Sequence, residues 1–139
     1  MSYRQRLEDL SSRYRLTAVY AFGSRVKDIS AAIYDGKALP PTPLSDIDIA
    51  ILPGLGQRLT LRQKVLLTFE MEDIFGVTTL DLIILPEVDP FLAVQAIRGD
   101  RIYCCDIHRA DEYELYILRR AGDLIPLEKE RIELIMGRA

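Results

Sequence analysis

The apolar positions of this chain switch between a helical and an extended period. In residues 2–14, Tyr3, Leu7, Leu10 and Tyr14 recur at helical spacing among Arg and Glu, which predicts a short amphipathic helix. Leu16 to Phe22 is apolar, with β-branched and aromatic residues, and predicts a first strand stopped by Gly23. Ser24 is placed to cap a helix that starts near Arg25. That helix is expected to be short, because periodicity fades from Asp28. Residues 35–45, DGKALPPTPLS, carry three prolines and a glycine and read as a loop.

Asp46 to Leu52 alternates acidic and aliphatic residues, then becomes fully apolar, which predicts a second strand ended by Pro53-Gly54. Residues 58–75 form the longest helical pattern. Leu59, Val65, Leu66, Phe69 and Phe75 are expected on one broad apolar face, with Gly76 as the stop. Thr78 to Leu85 predicts a third strand, ended by Pro86. Asp89-Pro90 reads as the cap and first residue of a short helix over 90–98. Gly99-Asp100 leads into a fourth strand, Arg101 to Cys105. From about Arg109 onward the pattern is helical again, with an interruption expected near Gly122–Pro126.

With no internal repeat and no dividing linker, the chain reads as a single domain over 1–139, with an inserted loop at 28–45 and a helical C-terminal part at 106–139. The expected class is α/β (α+β): a small mixed sheet of about four strands flanked by helices. Its 139 residues suit one core, and 49% hydrophobic with 28% charged residues fits a folded protein. No apolar run approaches the ~20 residues that span a bilayer, so no membrane partner is expected. The charged N-terminus lacks an apolar signal core, from which a cytoplasmic location is expected. A net charge of −3 argues against broad nucleic-acid binding. It leaves nucleotides open, because a metal can offset both carboxylates and phosphates.

The candidate chemistry is acidic. On a strand, Asp46, Asp48 and Ala50 share one side while Ile47, Ile49 and Ile51 share the other. The two carboxylates are then about 6–7 Å apart at the backbone, and they repel unless a cation lies between them. Magnesium takes carboxylate and phosphate oxygens together. The third strand repeats the design, with Asp81 out of phase with Leu80, Leu82 and Ile84. If it lies beside the second strand, three carboxylates suffice for two metals about 3.5–4 Å apart. An Asp-x-Asp pair is commonly an exposed strand edge, and a Gly-Ser a turn. An Asp placed three times on apolar strands, each time out of phase with the apolar positions, points to function.

Upstream, Gly23 allows close backbone approach and Ser24 offers a hydroxyl at a helix start, where free N–H groups favour phosphate. Arg25 is also placed to reach a phosphate, and Lys27 lies two residues on. The segment is not a P-loop, since GxxxxGK[ST] is missing. Cys104 and Cys105 are adjacent, which strains a disulfide, and with the single His108 they fall short of a zinc set. They read as ordinary strand cysteines.

GSR followed by SDIDIAIL, and then a strand with one Asp, resembles the nucleotidyltransferases of the DNA polymerase beta superfamily. The length resembles the minimal nucleotidyltransferase (MNT) group, and the tail RAGDLIPLEKERIELI is similar to the helical end of MntA-like antitoxins. The resemblance implies a polymerase-beta-like nucleotidyltransferase fold, with Gly23 and Ser24 on the β- and γ-phosphates of a nucleoside triphosphate. It implies Mg2+ on Asp46 and Asp48, completed by Asp81, which would help deprotonate an acceptor hydroxyl. NMP would be transferred and pyrophosphate released, with ATP the expected donor. The implied partner is a HEPN-type toxin whose tyrosine receives AMP.

The family commonly reads GSRARG, with the Asp pair about a dozen residues after the Ser. Here GSRVKD puts Lys27 at the second Arg and Asp28 at the Gly, and DGKALPPTP lengthens the loop. That loop reads first as a tolerated surface insertion. Two alternatives to the enzyme are kept: a non-catalytic antitoxin acting by contact, and a transferase for a small molecule. A homo-oligomer stays open.

Overall fold

Isoleucine at every second position of 47–51 decides the layering. The computed structural model describes residues 1–40 and 46–137. Within them the order is α1 (Tyr3–Arg13), β1 (Leu16–Phe22), α2 (Val26–Asp35), β2 (Ile47–Pro53), α3 (Leu61–Phe75), β3 (Leu80–Ile84), a 3-10 turn at Leu85–Glu87, α4 (Pro90–Ile97), β4 (Asp100–Cys104) and α5 (Ile107–Ile135). The described strands form one mixed sheet in the order β3-β2-β1-β4. β1 runs antiparallel to β2 and to β4, and β2 runs parallel to β3.

One face packs Ile47, Ile49 and Ile51 with Val19, Ala21, Leu80 and Ile84 against α1, α2 and α3. The other face packs Ala18, Tyr20, Ala50 and Leu52 against α4 and α5. β2 is therefore buried on both sides from Ile49 onward, and its half-polar alternation is confined to its first residues. Ala93 and Ala96 let α4 approach the sheet closely. Its turn into β4 passes so near β1 that a methyl group on Gly99 would collide with the Ala21 carbonyl.

α2 is longer than the sequence suggested. Ile29, Ala32 and Ile33 bury one stripe at helical spacing, and Gly36 ends the helix with a positive φ of 69°. Ser24 is not its cap. The N-cap position is Arg25, and no side chain bonds there.

α3 turns inward a stripe that shares only Phe75 with the face expected within it. Leu67, Met71, Ile74 and Phe75 are buried, while Val65, Leu66 and Phe69 are 44%, 44% and 61% exposed. The helix has apolar residues on two stripes. The capping box of Thr60 and Gln63 sets its start, and packing on the sheet selects which stripe is covered.

α5 runs without the break expected near Gly122–Pro126. Proline removes one intrahelical bond, to the Gly122 carbonyl, and this stretch is exposed, where solvent can take the place of the missing donor. The first half of α5 is tied to the sheet. Tyr20 donates to Glu114 at 2.7 Å, and Arg101 pairs with Asp111 at 2.8 Å and with Glu114. Arg109 donates to Thr17 Oγ1 at 3.2 Å and to the Pro53 carbonyl at 3.0 Å. Burial and Glu114 together push the Tyr20 phenol well above its usual pKa, so it stays a proton donor. Tyr113 packs on the second face, whereas Leu115 and Tyr116 are exposed.

Cys104 and Cys105 are free thiols, the first inside β4 and the second just beyond it. Among the described residues, no helix is long and apolar enough to cross a membrane.

Replacing Leu67 with Ala is expected to cost about 2–5 kcal/mol in urea unfolding. Phe69→Ala is expected to cost less than about 1 kcal/mol, because its ring is already in water. Equal costs would mean that α3 faces the other way.

Candidate active site

The parallel pairing of β2 with β3 sets Asp48 directly beside Asp81 in register, as it sets Ile47 beside Leu80. Neighbouring strands are about 4.8 Å apart, so the two carboxylates leave the sheet side by side. Asp46 immediately precedes β2 and is exposed, two positions from Asp48 and so on the same side. Ala50, in phase with Asp48, is covered by the α4–α5 layer. The acids thus stand on the face that carries α4 and α5, where β2 and β3 begin.

Burial is the largest influence on Asp48 and disfavours its charge. The charges of Asp81 and then Asp46 add to it, and the carboxyl is held above its ordinary value of 3.8. Among the described residues, no group of three His, Cys, Asp or Glu side chains is arranged ready to hold a metal ion. Like charges at this spacing repel unless a cation lies between them. The donor set nonetheless fits a hard divalent cation: oxygen-only ligands, two of them in register, one partly desolvated and perturbed by the other two.

The phosphate end adjoins this cluster. Phe22, the last residue of β1, pairs with Asp48, which brings Gly23 against the Asp48 side chain. A methyl group at Gly23 would collide with Asp48 Oδ2, and φ at Gly23 is 80°, a conformation that favours glycine. Gly23 and Ser24 are exposed on the turn before α2, and Lys27 is exposed on its first turn. Arg25 points elsewhere. Its side chain is only 6% exposed, with Nε on Asp28 Oδ2 at 3.2 Å and an NH2 group on the Pro40 carbonyl at 2.7 Å. The loop expected at 35–45 is described as far as Pro40, and the rest lies outside the described residues.

Two supporting residues were not singled out in the sequence. Glu72 accepts from the Leu80 N–H at 3.2 Å and pins the start of β3 next to Asp81. An acid in the last turn of a helix opposes the helix dipole, and that was the available signal. Gly99 brings the α4–β4 turn against Ala21 and Phe22, close to the end of β1. The carboxylate end is an open rim. A cleft of about 590 Å3 lined by Tyr3, Arg6, Leu39, Asp73 and Phe75 lies with α1 and α3, on the other layer.

Solved structures of similar shape include toxin–antitoxin proteins. A toxin–antitoxin structure with AMP-PNP matches at 17% identity and a TM-score of 0.72, over 96% of this chain and 98% of that one. An MNT antitoxin complexed with the tri-AMPylated HEPN toxin of Shewanella oneidensis matches at 16% identity and a TM-score of 0.69, over 96% of each chain. The MntA–HepT pair matches at 16% identity and 0.69, over 96% and 97%. At these identities the likeness is one of fold. A comparison with curated proteins finds no match. The family model described as "Polymerase beta, Nucleotidyltransferase" matches residues 5–108, from α1 through β4 into the first residues of α5. The chain therefore belongs to the polymerase beta nucleotidyltransferase family.

Proposed function

We propose that this protein is a magnesium-dependent nucleotidyltransferase that moves NMP, AMP from ATP, onto an acceptor hydroxyl. In this reading it is the antitoxin of a HEPN/MNT pair and the acceptor is a toxin tyrosine. The observation that carries the chemistry is the in-register pair Asp48–Asp81, with Asp46 on the same side and Gly23 against Asp48. The likeness to antitoxins in HEPN complexes supports the partner, and the AMP-PNP-bound relative supports the donor.

Asp46, Asp48 and Asp81 would hold magnesium, which when bound offsets the carboxylate and triphosphate charges and polarises the reacting phosphate. The chain's own residues do the rest. Gly23 lets the triphosphate approach the backbone, and the Ser24 hydroxyl and the N–H groups at the start of α2 donate to its outer oxygens. Lys27 is the exposed cation at this end. The acceptor hydroxyl approaches from the open rim and gives its proton to Asp81 as its oxygen bonds to the α-phosphorus. The bond to the β,γ-diphosphate breaks, and pyrophosphate leaves with that electron pair. Contact without chemistry would not require Asp81 beside Asp48, which favours the transferase over a simple binding module.

The decisive experiment incubates the protein with Mg2+, each nucleoside triphosphate and a HEPN-type partner, and follows added nucleotide by mass. Asp46→Asn with Asp48→Asn is expected to lower transfer at least about 100-fold. If that variant neutralises the partner as well as wild type does, the protein acts by contact and the catalytic reading is wrong. Gly23→Ala is expected to lower transfer about tenfold or more while the fold survives, because the added methyl displaces Asp48.

A stability measurement probes the same carboxylates. Asp48 has a raised pKa in the folded state, so its ionised form is penalised on folding above that pKa, and the penalty fades as pH falls through it. In EDTA near neutral pH, Asp48→Asn is therefore expected to raise Tm by about 2–4 °C. The gain should shrink toward zero as pH approaches the ordinary value of 3.8. Added Mg2+ should raise the Tm of wild type but not of the variant. Thermal unfolding from about pH 7 to about pH 4 checks all three.

A further inference from the structure

The first turn of α2 and the segment that follows α2 meet on one guanidinium. Asp28 lies on the first turn of α2, and its carboxylate accepts from Arg25 Nε at 3.2 Å. The segment after α2 supplies Pro40, whose carbonyl accepts from an NH2 group of the same guanidinium at 2.7 Å. Arg25 follows Ser24 directly, and Pro40 lies six positions ahead of Asp46. We propose that Arg25 is a positioning residue: it clasps the segment after α2, at Pro40, to the first turn of α2 and so steadies the Gly23–Ser24 turn beside the carboxylates.

The physical case rests on burial and valence. The side chain is 6% exposed, and the guanidinium donates in two directions to protein oxygens. Reaching a phosphate would break both bonds and leave the half-buried Asp28 carboxylate without its cation. Two-sided bonding is what a planar fork of donors does well and a single ammonium does poorly. Leu39 packs against the core beside Pro40, so the described part of the loop has an apolar anchor next to the polar one. The inference rests on the nucleotidyl-transfer reading for its consequence, but the clasp itself is testable without nucleotide.

Lys37 is exposed in the segment that Arg25 holds, and Lys64 lies within α3 as an internal reference. Limited trypsin digestion of the nucleotide-free protein reports cleavage after Lys37 relative to cleavage after Lys64. Arg25→Gln is expected to raise that ratio about tenfold, Asp28→Asn to raise it in the same direction by less, and Arg25→Lys to fall between wild type and Arg25→Gln. Taking the ratio cancels any general loss of stability.

In the transfer assay Arg25→Gln should lower kcat more than it raises KM for ATP, because a shifted Gly23–Ser24 turn misplaces the triphosphate in the transition state. Two results overturn the clasp. One is an unchanged cleavage ratio in Arg25→Gln. The other is a rise in KM alone in Arg25→Gln together with an unchanged or lower KM in Asp28→Asn, which marks a guanidinium that serves phosphate. If wild type transfers no nucleotide, the nucleotidyl-transfer reading fails, and the cleavage ratios still decide the clasp.

Discussion

The parallel pairing that holds Asp48 beside Asp81 sets like charges together, and the layer behind them makes this possible. Two carboxylates about 6 Å apart repel by roughly 1–3 kcal/mol when partly solvated. On the opposite face the same strands bury Ile47, Ile49, Ile51, Leu80 and Ile84. Each such side chain stabilises the fold by about 1.5–3 kcal/mol, an upper estimate, and together they exceed the repulsion severalfold. The apolar face therefore sets the register, and the acids accept the positions it assigns. The cost is retained as a perturbed Asp48, which a divalent cation would relieve.

The rest of the architecture keeps that end of the sheet defined. β1 delivers Gly23 to Asp48 because Phe22 is its register partner. Glu72 pins the start of β3, and Gly99 lets the α4–β4 turn close against β1. On the acidic face, α4 and α5 cover Ala50 and Leu52 but stop short of burying Asp48. α5 is secured over its first half by Tyr20, Arg101 and Arg109. Beyond Ala121 it carries exposed Ile125, Leu127, Ile132 and Leu134.

Much of the carboxylate arrangement was legible because strands have a period of two. Asp46, Asp48 and Asp81 declare their side of the sheet by being out of phase with their aliphatic neighbours. Arg25 was not legible in the same way. An arginine after Gly-Ser reads as a phosphate ligand, and only the return of the chain at Pro40 gives its guanidinium two protein acceptors. The buried side of α3 is ambiguous in sequence for a related reason. Val65, Leu66 and Phe69 form as good an apolar stripe as Leu67, Met71 and Ile74, and local periodicity cannot rank them.

The sequence by itself determined the succession of strands and helices, the sidedness of the aspartates and the turn at Gly23, since each depends on residues close together in the chain. The tertiary structure alone decided that Asp48 and Asp81 are neighbours, which stripe of α3 is buried, that α2 runs to Asp35, and that α5 passes through Pro126 unbroken. Those outcomes depend on burial against distant segments and on which backbone groups meet water. Neither quantity is carried by any short stretch of sequence.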